Sequence, residues 1–167
     1  MKRTIIAVSG LRSQGKTQTL VRLAKHFAFH VEGFEMGETC TQDDVPFEDN
    51  ADYATDAVLV GTYRGLKIGI CTQGDPYSHQ AEWLDKCLST GCDIIVAACR
   101  TKGYTKLNVE ETARKGGYGI IWVSTFCHES KEEKSASPEM YEGVNLNQFM
   151  AETLKSLIDN FISGRLS

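Results

Sequence analysis

Eight residues near the start of the chain, Gly10-Leu11-Arg12-Ser13-Gln14-Gly15-Lys16-Thr17, set two glycines, a lysine and a hydroxyl at spacings suited to holding an anion. Glycine lets the backbone turn so that successive N–H groups converge on one point, and a following helix adds the positive end of its dipole there. Lys16 brings a full positive charge to the same place. Thr17 brings an oxygen able to face a hard cation. The flanking sequence provides the frame such a turn needs. Residues 4–9 (TIIAVS) read as a buried strand, and Leu20, Leu23, Ala24, Phe27 and Ala28 recur at helical spacing through residues 17–29.

Every fixed position of G-x-x-x-x-G-K-[ST] is filled, and the stretch resembles the Walker A element of the P-loop NTPase superfamily. The resemblance implies that Gly10, Leu11, Arg12, Ser13, Gln14, Gly15, Lys16, Thr17 and Gln18 surround the phosphates of a nucleoside triphosphate. It further implies that Lys16 reaches the β- and γ-phosphates and that the Thr17 hydroxyl binds Mg²⁺. Such sites draw a second metal-directed group from an aspartate at the end of a neighbouring strand. Asp75, after the apolar run LKIGIC, has that position and joins Thr17 as the candidate metal set. Asp56 and Asp93 each precede a strand-like run and are expected at the opposite end of the sheet.

Because ligands of open α/β sheets gather at the carboxyl ends of strands, two further segments are selected. One is 100–103, where Arg100 or Lys102 would neutralise charge during phosphoryl transfer; the other is 124–126. Lys16, Asp75 and Arg100 are therefore the candidate catalytic residues. His79 and Gln80 are candidates for orienting a water or an acceptor hydroxyl. Thr39 and Thr41 occupy the region in which GTPase-like folds carry a metal-sensing threonine.

The remaining elements must position this set. Residues 57–63 and 66–72 flank Arg64-Gly65 and read as a β-hairpin. Residues 78–90 read as a helix capped by Gly91, 93–99 as a buried strand, 107–115 as a helix stopped by Gly116-Gly117, and 118–125 as the last strand. Residues 145–162 are amphipathic, with Leu146, Phe149, Met150, Leu154, Leu157, Ile158, Phe161 and Ile162 expected on the apolar face. The alternation predicts an α/β three-layer sandwich around a mainly parallel five-stranded sheet with one antiparallel edge strand. Two polar stretches, 35–55 and 128–143, are expected as long loops, the second a candidate lid.

The 167 residues fit one nucleotide-binding domain, 1–167. Eighteen basic against 22 acidic residues give a formal charge of −4, which does not favour nucleic acid or an anionic membrane as a partner. No run is long enough for a transmembrane helix, and the N-terminus lacks signal-peptide character, so a cytoplasmic protein is expected. The six cysteines contain no C-x-x-C pair and are expected as reduced, packed thiols, with Cys127-His128 a candidate ligand pair.

The expected function is Mg²⁺-dependent binding of ATP or GTP by a nucleoside triphosphatase or small kinase acting on the γ-phosphate. Its partners would be the nucleoside triphosphate and either a small-molecule acceptor or another protein. The alternative is a non-catalytic or GTPase-like regulatory module working through a protein partner. No N-K-x-D tetrapeptide, the guanine-recognising element of GTPases, occurs in the chain, so ATP is expected to bind at least as well as GTP.

Overall fold

The apolar run near the N-terminus forms strand β1 (Thr4–Ser9), with Ile5, Ile6, Ala7 and Val8 fully buried. In the computed structural model, which describes residues 2–10, 15–49, 55–125, 140–141 and 144–164, this strand lies inside a mixed sheet. Helix α1 (Lys16–His30) follows it after residues 10–15. Strand β2 (Phe34–Thr41) leads to a single 3₁₀ turn at Gln42–Asp44. The hairpin β3 (Ala57–Tyr63) and β4 (Leu66–Cys71) comes next, then helix α2 (Gln80–Ser89) and strand β5 (Ile94–Cys99). Helix α3 (Tyr104–Gly116) and strand β6 (Gly119–Ser124) complete the alternation. Two short paired strands, β7 (Met140–Tyr141) and β8 (Val144–Asn145), precede helix α4 (Leu146–Ile162).

The large sheet has six strands in the order β2-β3-β4-β5-β1-β6. Strands β4, β5, β1 and β6 are mutually parallel, whereas β3 is antiparallel to both of its neighbours. This corrects the expected five-stranded sheet with an antiparallel edge: the antiparallel strand is internal, and β2 is the edge beyond it. Strand β2 escaped detection because its outer position leaves most of it half-buried or exposed, so it lacks a buried apolar face. It also takes up the first part of the 35–55 stretch, which is therefore not one long loop.

Local chemistry explains the joints. Arg64 and Gly65 have φ of 50° and 80°, the paired left-handed geometry of the two-residue hairpin turn. Gly61 has no side chain where Phe34 of the neighbouring strand lies: a Cβ there would stand 2.2 Å from Phe34 Cζ. Helix α4 starts at an Asn145 cap, whose side chain accepts the Gln148 N–H.

Successive residues of β1 serve two hydrophobic clusters. Ile6 and Val8 pack with Leu20, Leu23 and Phe27 of α1 and with Met150, Leu154 and Ile158 of α4. Ile5 and Ala7 pack with Trp83, Leu84 and Cys87 of α2 and with Val109 and Ala113 of α3. The expected face of α4 holds at Met150, Leu154, Ile158 and Phe161, but Phe149 is exposed and Asn147 is buried in its place. Cys40, Cys71, Cys87, Cys92 and Cys99 are free thiols, and Cys127-His128 lies outside the described residues, as does most of 128–143. Among the described residues no helix is long and apolar enough to cross a membrane.

Candidate functional site

Five chain segments meet where β1, β4, β5 and β6 end and α1 begins. The Gly10 N–H donates to the Cys99 carbonyl oxygen at 3.3 Å, which sets the exit of β1 beside the exit of β5 and so beside Arg100. Gly74 closes the same corner from β4. A Cβ on it would lie 2.8 Å from the Ala98 carbonyl carbon and 2.9 Å from Cys99 N, so only glycine lets that chain pass. The Thr17 hydroxyl reaches the Thr72 carbonyl oxygen at 3.4 Å, joining the start of α1 to the end of β4. Thr125 also arrives here, its N–H bonded to the Ser9 carbonyl at 3.2 Å.

Among the expected anion-binding residues, Gly10, Gly15, Lys16, Thr17 and Gln18 are described, while Leu11, Arg12, Ser13 and Gln14 lie outside the described residues. Gly15 has φ of 74°, the left-handed geometry for which glycine is suited, and it stands against the buried Asn147 of α4. Lys16 is only 6% exposed. Burial lowers its pKa, opposed by the nearby Asp75 carboxylate and reinforced by Arg100. A lysine stripped of water in this way interacts strongly with any anion that shares its site. Gln18 is exposed on the outer side of α1.

Asp75 and Arg100, selected separately from sequence, form an ion pair of 3.1 Å. Arg100 also carries a buried Nε–H without a hydrogen-bond partner among the described residues. Lys102 and Tyr104 are exposed. Lys16, Asp75 and Arg100 therefore share one electrostatic neighbourhood.

Two expectations are corrected. Gln80 is a buried brace: its Nε2 donates to the carbonyls of Ala98 at 2.8 Å and Thr105 at 3.1 Å, and its Oε1 accepts from Asn108. With its amide spent on holding α2 to β5 and α3, it has no group left to orient a water. Asp56 is at the site end of the sheet, because β3 runs antiparallel and its beginning abuts the end of β4. The Thr72 hydroxyl donates to Asp56 Oδ1 at 2.9 Å and accepts the Ala57 N–H at 2.9 Å. Burial raises the Asp56 pKa; hydrogen bonds from Thr72 and Gln73 offset part of the rise, and Asp75 adds to it. Asp93 does lie at the opposite end, where its carboxylate accepts the Lys67 N–H at 2.9 Å.

A polar cavity of about 260 Å³ opens between Asp56 and Asp75 and is lined also by Gln42, Gln73, Ser78 and His79. Gln73 orders it, donating to Gln42 Oε1 at 3.1 Å and accepting the His79 N–H at 2.8 Å. The His79 ring stacks on Trp83 and lies 3.3 Å from Glu82. Thr41, at the end of β2, turns its hydroxyl to the Val45 carbonyl, whereas the Thr39 hydroxyl is buried without a partner among the described residues. Residue Gln42 was absent from the sequence-based set because its placement depends on the missed edge strand. Asp56 was recoverable: in the hairpin, Val58 pairs with Cys71, which carries Asp56 to the level of Gln73.

No group of three or more His, Cys, Asp or Glu side chains suited to holding a metal ion occurs among the described residues. No protein-family model, curated protein or solved structure matches the chain.

Proposed function

We propose that this protein binds a nucleoside triphosphate with Mg²⁺ and acts on its γ-phosphate, by transfer or hydrolysis, within a three-layer α/β domain of P-loop type. The observation that carries this reading is the convergence at one end of the sheet of Asp75 and Arg100 with Lys16 and Thr17, the last two residues of G-x-x-x-x-G-K-T. Gly10, Leu11, Arg12, Ser13, Gln14 and Gly15 would wrap the phosphates with backbone N–H groups, and Lys16 would meet the terminal ones. The orphaned Arg100 Nε–H is what an anionic ligand would satisfy, and the desolvation of Lys16 strengthens its attraction for such a ligand.

The Thr17 hydroxyl and the Asp75 carboxylate are the residues that would hold Mg²⁺ and its waters, a hard-cation set of oxygens that needs no cluster of three acidic or imidazole ligands. When bound, the ion neutralises charge on the β- and γ-phosphate oxygens. Arg100 is positioned by its ion pair with Asp75, so the two act as one unit at the phosphate end.

Titration calorimetry with Mg-ATP and Mg-GTP tests the reading. The parent should bind ATP at least as tightly as GTP, and Lys16→Ala should lose roughly 2 kcal/mol of affinity by removing a charge-assisted phosphate contact. Equal affinities for parent and variant would refute the assignment of Lys16. A strong GTP preference would instead favour the GTPase-like regulatory alternative.

A further inference from the structure

We infer that the cavity between Asp56 and Asp75 is the binding site of a second substrate, a small neutral polyol, and that Asp56 accepts the proton of the hydroxyl being phosphorylated. The inference rests on the nucleotide reading above and decides it in favour of transfer to an acceptor.

Size is the first argument. At about 30 Å³ of liquid volume per water, a cavity of about 260 Å³ has room for a molecule several times larger than one attacking water. It is also below the roughly 300–1,000 Å³ of sites that take drug-sized ligands, which leaves room for a molecule the size of a sugar ring.

The lining chemistry is the second. Asp56, Asp75, Gln42, Gln73, Ser78 and His79 offer carboxylates, amides, a hydroxyl and an imidazole. None is a lysine or arginine, so an anionic acceptor would meet two carboxylates and no cation in the lining. A large apolar acceptor would find little to cover it. Several hydroxyls on a neutral frame match the donors and acceptors present.

Position is the third. Asp56 is joined to the start of α1 through Thr72, whose hydroxyl contacts Asp56 and whose carbonyl contacts Thr17. Asp75 borders the cavity and also acts on Lys16. The acceptor and the phosphate-binding residues are therefore neighbours. Burial makes Asp56 a stronger base than an exposed carboxylate.

The step balances simply. The acceptor oxygen forms a bond to the γ-phosphorus, the bond from that phosphorus to the β,γ-bridging oxygen breaks, and the nucleoside diphosphate leaves. The hydroxyl proton passes to Asp56 and then to solvent. No electron carrier is needed.

The test incubates the full chain with Mg-ATP and, separately, glycerol, ribose, glucose and myo-inositol, following ADP release and phosphomonoester by phosphorus NMR. At least one polyol should accelerate ADP release about tenfold over water alone and appear as its monophosphate. Asp56→Asn should lower that transfer about a hundredfold, the usual scale of a lost general base, while calorimetry gives an unchanged ATP affinity. Gln42→Ala should raise the polyol KM and leave kcat nearly intact. ADP release indifferent to all four polyols, or equal acceleration in Asp56→Asn, would overturn the acceptor site while leaving nucleotide binding standing. Failure of the parent to bind ATP in the calorimetric arm would take down both readings. Because asparagine keeps an oxygen for the Thr72 hydroxyl, the variant should fold, and a circular-dichroism melt verifies that.

Discussion

Asp56 and Asp93 are alike in sequence: each stands one residue ahead of a buried strand. They finish at opposite ends of the sheet. Asp93 precedes β5, which runs with β1, and so it sits at the amino ends of the parallel strands, bonded to the Lys67 N–H and donating its own N–H to the Lys67 carbonyl. Asp56 precedes β3, which runs against β4, and so it sits among Thr72, Gln73 and Asp75. One carboxylate fastens two strand ends; the other is half-buried in a polar site with its pKa raised. The difference teaches that strand direction, not position within the sequence, decides which end of a sheet a flanking residue serves.

The contrast predicts a division of labour between the two ends. Asp75→Asn should have the largest effect on the site end, lowering Mg²⁺-dependent ATP turnover about a hundredfold, equivalent to ~2.7 kcal/mol at the transition state. Equal turnover across a magnesium titration would return Asp75 to a turn residue. Gly74→Ala comes next. Its Cβ would meet backbone atoms of Ala98 and Cys99 at 2.8–2.9 Å, so stability should fall by about 1–3 kcal/mol in urea melts, with nucleotide affinity falling alongside.

Asp93→Ala probes the other end. It should cost about 1 kcal/mol of stability through the lost bond to Lys67, with no change in ATP affinity, and a change in affinity would erase the distinction between the ends.

The smallest effect sharpens the comparison most. A carboxyl whose folded pKa is raised holds its proton more tightly folded than unfolded. Below the unfolded pKa both states are protonated and no penalty exists; as pH rises toward and past the folded pKa, stability is lost. Asp56→Asn removes that penalty, so its melting temperature should exceed the parent's at neutral pH. The gap should close below about pH 4, the ordinary carboxylate range. A gap that persists at low pH would mean that packing, not charge, distinguishes the variant.

Much of the fold was legible because local patterns were strong. The buried runs of β1 and β5, the apolar run of β6, the Arg64-Gly65 turn and the stripe of α4 are each specified by residues adjacent in sequence. What escaped was β2, an edge strand held by its ladder to β3 and by Phe34 packing on Phe27, contacts that no periodicity records. That omission hid Gln42, and it made the antiparallel strand look like an edge. Gln80 was misread for a related reason. A polar residue at the start of a helix looks available until the carbonyls of Ala98 and Thr105 are found against it.

By itself, the sequence determined the strand at residues 4–9, the helix that begins at Lys16, and the alternation that makes an α/β sheet. Those follow from backbone sterics and hydrophobic period, which act over a few neighbouring residues. Only the tertiary structure decided that Asp75 pairs with Arg100, that Asp56 joins them, and that Asp93 does not. These depend on strand order and direction, set by which faces the whole chain buries together, and no local stretch contains that information.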